Sequence, residues 1–141
     1  MYTTLAALLE RIPEEALIQL TDDGGLGTID QDKVDAAIAR AAQEIDAWCG
    51  ARYQVPFDPA PSIVPGLAAD LAIYYLYGRT VDEIPESRKD AHKNAVRLLE
   101  KIALGQVSLG VDPAPAATTS AGAAIVSGAD RQFTRDKLRG M

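Results

Sequence analysis

The sequence predicts an all-α fold: a small helical bundle of two short N-terminal helices and three longer ones, with an extended C-terminal arm. Three observations predict it. Val34, Ile38, Ala41, Ile45, Trp48 and Cys49 recur at steps of three and four, which puts them on one face of a helix. Residues 67–77 are apolar nearly all round, and Asp70 is the only charge between Ser62 and Gly78; such a helix belongs in the centre of a bundle or against a neighbour. After Gly110 the chain turns to Ala, Pro, Thr, Ser and Gly, too poor in core formers to fold alone. The expected organisation is a helical domain over 1–110, a flexible Ala/Pro/Thr/Ser/Gly-rich linker over 111–128, and a terminal segment over 129–141.

The elements follow in order. Thr3 or Thr4 can cap a short helix carrying Leu5, Leu8 and Leu9. Pro13 suits the first position of a second short helix, with Glu14 and Glu15 at the positive end of its dipole. Leu17, Ile18 and Leu20 are expected to face inward. TDDGGLGTID is a turn-rich loop. A calcium loop would need oxygen ligands at alternate positions, but Gly24, Leu26 and Thr28 stand there after Asp22, so a sharply bent connection is the reading. Asp30 is placed as N-cap of a helix ending at Gly50.

Four prolines in 51–65 exclude a regular helix there. That stretch reads as an apolar connector laid over the bundle and anchored by Tyr53 and Phe57. A third long helix should begin near 63–66 and end about Tyr77. Asp70 on it reads as a structural acid paired with an arginine such as Arg52, or with a tyrosine hydroxyl. Pro85 introduces the last helix, about 86–104, with Ala91, Ala95, Leu98, Leu99 and Ile102 toward the core. Lys89, Lys93, Arg97 and Lys101 form a stripe on its other side, a solvated face or a subunit or partner surface. Gly105 ends it, and 106–109 is expected to be extended or a short strand.

Charge and chemistry narrow the function. The formal charge of −6 is uneven: residues 1–83 hold 14 acids against 5 bases, and residues 84–141 hold 6 acids against 9 bases. An acidic chain argues against general nucleic-acid binding, and the asymmetry suits a head-to-tail or partner-binding surface. Cys49, the only cysteine, allows no internal disulfide and has the spacing of a core residue. There is no basic leader before an apolar run in MYTTLAALLER, and the longest apolar run, Leu71 to Tyr77, is far short of the ~18 residues of a membrane span. Neither a nucleophile–base pair nor a phosphate-cradling glycine loop is seen, and His92 has no second metal-ligand candidate nearby. The expectation is a protein that is not an enzyme, has no cofactor or metal, and does not enter a membrane.

Four stretches together resemble the Mu-like bacteriophage head–tail adaptor (connector) proteins. They are MYTTLAALLERIPEEALIQLTD, IDQDKVDAAIARAAQEIDAWCGARYQVPF, LAADLAIYYLY, and LLEKIALGQVSLG joined through a variable linker to RQFTRDKLRGM. The combination of EIDAWCGARYQVP with GQVSLG and RQFTRDKL is the specific part. The resemblance implies a helical adaptor that forms a ring of many copies, a dodecamer in relatives, beneath the portal of a tailed phage. It implies portal protein above, a neck or tail-completion protein below, and genomic DNA passing through without specific binding. The location implied is the neck of the virion, assembled in the host cytoplasm. By place in the terminal motif, Arg131, Phe133, Arg135 and Leu138 are expected to bind the portal, while Trp48, Tyr53 and Asp70 are structural. The alternative is a small helical DNA-binding packaging or regulatory protein using the stripe 89–101, although no helix-turn-helix pairing precedes it.

Overall fold

The computed structural model describes residues 1–80 and 83–114. Among the described residues five helices run in order: α1 Leu5–Leu9, α2 Glu14–Thr21, α3 Gln31–Cys49, α4 Val64–Tyr77 and α5 Glu86–Ala103. Among the described residues there is no strand; 106–109 is irregular and bends at 106–107 rather than running extended as expected, because the Gln106 and Val107 N–H groups turn back to the Lys101 carbonyl. The fold is all-α, as expected.

α4 is the centre. It packs against all four other helices, and α3 and α5 also touch each other. Val64, Leu67, Ala68, Ala69, Leu71, Ala72, Ile73 and Leu76 of α4 are buried, so its apolar surface is used nearly all round. α3 contributes Val34, Ala37, Ile38, Ala41, Ile45 and Cys49. Trp48 is half-buried and packs on the edge of that core. α5 buries only Ala95, Leu99 and Ile102. Ala91 and Leu98, expected inside, are half-buried at the margin. Leu17 and Leu20 of α2 are buried, and Ile18 is half-buried.

The caps follow local chemistry. Thr4 caps α1 by accepting the Ala7 N–H, and Asp30 caps α3 by accepting the Asp32 N–H at 3.1 Å. Pro13 is the N-cap of α2 rather than its first residue, one position earlier than expected. Gly50 does cap α3, with its N–H on the Asp46 carbonyl at 2.8 Å. α5 closes differently. Gly105 takes φ +82°, its N–H bonds the Ile102 carbonyl, and the Gln106 N–H reaches back to the Lys101 carbonyl at 2.9 Å. That reciprocal pair needs a left-handed residue, and glycine supplies it without strain.

The loop before α3 is held by its own acids. The Asp22 carboxylate accepts the N–H groups of Leu26 and Gly27 at 2.9 and 2.7 Å, which lowers its pKa. Arg79 and Lys33 both reach Asp23, and Lys33 also pairs with Asp30. The buried Thr21 hydroxyl donates to the Leu17 carbonyl and accepts the Asp30 N–H. The sharp bend is therefore fixed to α2, α3 and the end of α4.

Candidate partner-binding surfaces

The connector 51–63 is built as a seat. Tyr53 is buried, and its ring lies 6.0 Å from that of Phe57, which in turn lies 6.0 Å from Tyr2. The Tyr2 hydroxyl donates to Asp46 and accepts the Phe57 N–H at 2.9 Å. Burial, then the contact with Asp46, pushes the Tyr2 phenol up to about 12. One N-terminal tyrosine thus ties α3 to the connector.

The chain after α5 returns to this seat. The Leu109 N–H donates to the Tyr53 hydroxyl at 3.1 Å, and the Ala114 N–H donates to the Arg52 carbonyl at 2.9 Å. Val111 and Asp112 form one wall of an open groove whose other wall is Tyr53 to Pro59. At the head of this return, Gly105 lies so close to the Arg52 guanidinium that a Cβ there would overlap it. The point from which the C-terminal segment departs is thereby fixed on the body. Arg131, Phe133, Arg135 and Leu138 lie outside the described residues, as does most of the linker.

Asp70 is a paired structural acid, but not with Arg52. Its partner is Arg11, at 2.7 Å, from the turn between α1 and α2. The Arg52 guanidinium lies against Gly105 instead. The correction has a simple cause. Asp70 is midway along α4, against which α1 packs, and 59 residues separate it from Arg11; helical periodicity carries no signal for such a pair.

The basic stripe of α5 is on the surface, and its members are not equivalent. Lys89 pairs with Glu86 at 3.6 Å. Lys93, Arg97 and Lys101 are exposed, and among the described residues no carboxylate lies within ion-pair distance of them. His92, Lys93, Val96, Arg97 and Glu100 line a shallow depression on this face. His92 itself stacks on Tyr74 with ring centroids 3.8 Å apart, and the Arg40 guanidinium lies 4.0 Å over Tyr75. This cluster ties α3, α4 and α5 together at their rim. Cys49 is buried, and burial pushes its thiol up to about 11; it is a core residue.

Two described surfaces are therefore available to a partner: the seat from which the C-terminal segment departs, and the cationic face of α5. Residues 2–127 match the family described as Bacteriophage Mu, Gp36. The chain belongs to that family. A Mu-like prophage FluMu protein gp36 from Haemophilus influenzae (strain ATCC 51907 / DSM 11121 / KW20 / Rd) is 28% identical to it, over 99% of this chain and 97% of the relative. The likeness to this Gp36 relative is thus nearly end to end, while the family match stops before Arg131. The Gp36 assignment makes this a Mu-like phage protein.

Sequence reasoning missed Tyr2, Arg11 and the contact of Arg52 with Gly105. Tyr2 is an isolated aromatic ahead of a cap, with no periodicity to mark it. The glycine was visible as a helix end, but its crowding against Arg52 is a tertiary fact.

Proposed function

We propose that this Gp36-family protein is a structural assembly protein of the virion, specifically a head–tail adaptor. Copies of the body form a ring beneath the portal, prolong the DNA channel, and offer a platform to a neck or tail-completion protein. The terminal segment, through Arg131, Phe133, Arg135 and Leu138, grips the portal. The protein acts by binding and not by catalysis.

One observation carries the reading: the root of the C-terminal segment is fastened to the body at Tyr53 and Arg52. A tether that must hold two large assemblies together transmits load only if its root is fixed. Two apolar anchors among four bases, Phe133 and Leu138 with Arg131, Arg135, Lys137 and Arg139, have the chemistry of a segment that docks on another protein. The chain belongs to a Mu-like phage family, and a tailed phage needs such a joint. The test is to add the full-length chain to purified portal rings of the same phage and view them by negative-stain microscopy. A new ring-shaped layer on the portal is expected. Portal rings that stay bare, beside a salt-sensitive shift of duplex DNA, would replace the adaptor with the DNA-binding alternative.

A further inference from the structure

The ring requires two surfaces of one chain that recognise each other, and the structure offers a pair. The first is the corner between α1 and α2. Glu10, Glu14 and Glu15 are exposed there, beside Leu9, which is 39% exposed. The nearest cations are already used. Arg11 is held by Asp70, and the Arg88 guanidinium donates to the Arg11 carbonyl at 3.2 Å. Among the described residues no cation pairs with any of the three glutamates. The second surface is the Lys93, Arg97 and Lys101 face of α5, which runs on to Leu104, 66% exposed.

Among the described residues these patches form no ion pair with each other. The acidic corner adjoins the first turn of α5, at Arg88. Lys101 is 13 residues further on, about 20 Å along the helix at 1.5 Å per residue. That is about twice the distance over which exposed charges act in physiological salt. Between two copies the same patches are opposite in sign and equal in number, three carboxylates against three cations, each with an exposed leucine at its end.

We propose that the Glu10–Glu14–Glu15 corner of one copy docks on the Lys93–Arg97–Lys101 face of the next copy. This deepens, and rests on, the ring reading above. A contact between two different patches is head-to-tail. It closes into a ring when the rotation allows and never saturates as a simple dimer. Charge complementarity here chooses the partner face and its register, and Leu9, Leu104 and Val96 supply apolar area. Lys89 is outside the contact, because Glu86 already holds it.

The experiment is a charge swap in the full-length protein. One variant carries Lys93→Glu and Arg97→Glu; the other carries Glu14→Lys and Glu15→Lys. All four positions are exposed, and unchanged melting curves verify that both variants fold. Each alone is expected to raise the concentration needed for ring layers on portal by at least about tenfold, the scale of a lost close charge pair at an interface. Mixed one to one, the two variants should form rings again, because every contact then joins opposite charges. Mixing could not rescue a variant that had merely lost its contact with portal. Rings formed normally by the first variant alone, or no recovery on mixing, would overturn the contact while leaving the adaptor reading in place. A first variant that loses only affinity for duplex DNA would overturn it in favour of nucleic acid. Wild-type chain that adds no ring to portal would overturn both.

Discussion

α4 and α5 are neighbouring helices of 14 and 18 residues that spend their surfaces in opposite ways. α4 is enclosed by the other four helices and carries one charge, Asp70, which is paired. α5 buries one narrow face and leaves three cations on the other with no ion-pair partner among the described residues. The first arrangement uses side chains to make the fold. The second leaves them for something outside it. Residues that bear on stability and residues that bear on assembly should therefore separate cleanly between the two helices.

The strongest attempt to break that division is a truncation inside α4. Leu71 is fully buried, and Leu71→Ala is expected to cost about 2–5 kcal/mol through lost burial and the cavity left behind. Arg97→Ala on α5 should change stability by less than about 0.5 kcal/mol. Urea unfolding of both variants measures the contrast. A comparable loss at Arg97 would mean that the stripe belongs to the fold.

A smaller effect is expected where α5 turns back toward the connector. Gly105→Ala places a side chain at φ +82° and against Arg52, and should destabilise by more than about 1 kcal/mol. Combining it with Arg52→Ala should recover part of the loss, which a double-mutant cycle reads directly. Additive losses would show that the crowding at Arg52 does not matter.

Below that comes the one charge of α4. The side chains of Arg11 and Asp70 are 40% and 26% exposed, so screening limits their pair. Asp70→Asn is expected to lower stability by at most about 1 kcal/mol and to leave portal binding intact. Weakened portal binding with an unchanged melting temperature would move Asp70 from structure to docking.

The smallest effect belongs to His92, at the rim between the two helices. Burial, chiefly, with a contribution from Arg40 and opposed by Glu44, lowers its pKa below the ordinary 6.5. The unfolded chain then takes up the proton first. Stability should be complete above pH 6.5 and decline as the pH falls below it. His92→Gln should flatten the melting temperature between pH 7 and 5; an unchanged slope would assign it to other groups.

The same contrast explains what was legible in the sequence. α3, α4 and α5 announce themselves because their signals are local: apolar spacing, the Asp30 cap, the Gly105 stop, and the near-absence of charge around Asp70. Tyr53 and Phe57 were recognisable as connector anchors because they are the two aromatic side chains in that proline-rich stretch. What was hidden depends on distant contacts. The partner of Asp70 is 59 residues away, and the seat for the returning chain joins Tyr53 to Leu109 across 56. The stripe on α5 was visible as a pattern, but the loss of Lys89 to Glu86 and the spent state of Arg11 and Arg88 are what define the complementary corner.

In the adaptor proposed above, the body folds on its own terms while the terminal segment grips the portal. The most direct measurement compares wild-type protein with the double variant Phe133→Ala, Arg135→Ala on purified portal rings, alongside their melting curves. The expected result is an unchanged melting temperature and the loss of the added layer. A variant that decorates portal as well as the wild type, or one that melts early, would contradict the claim.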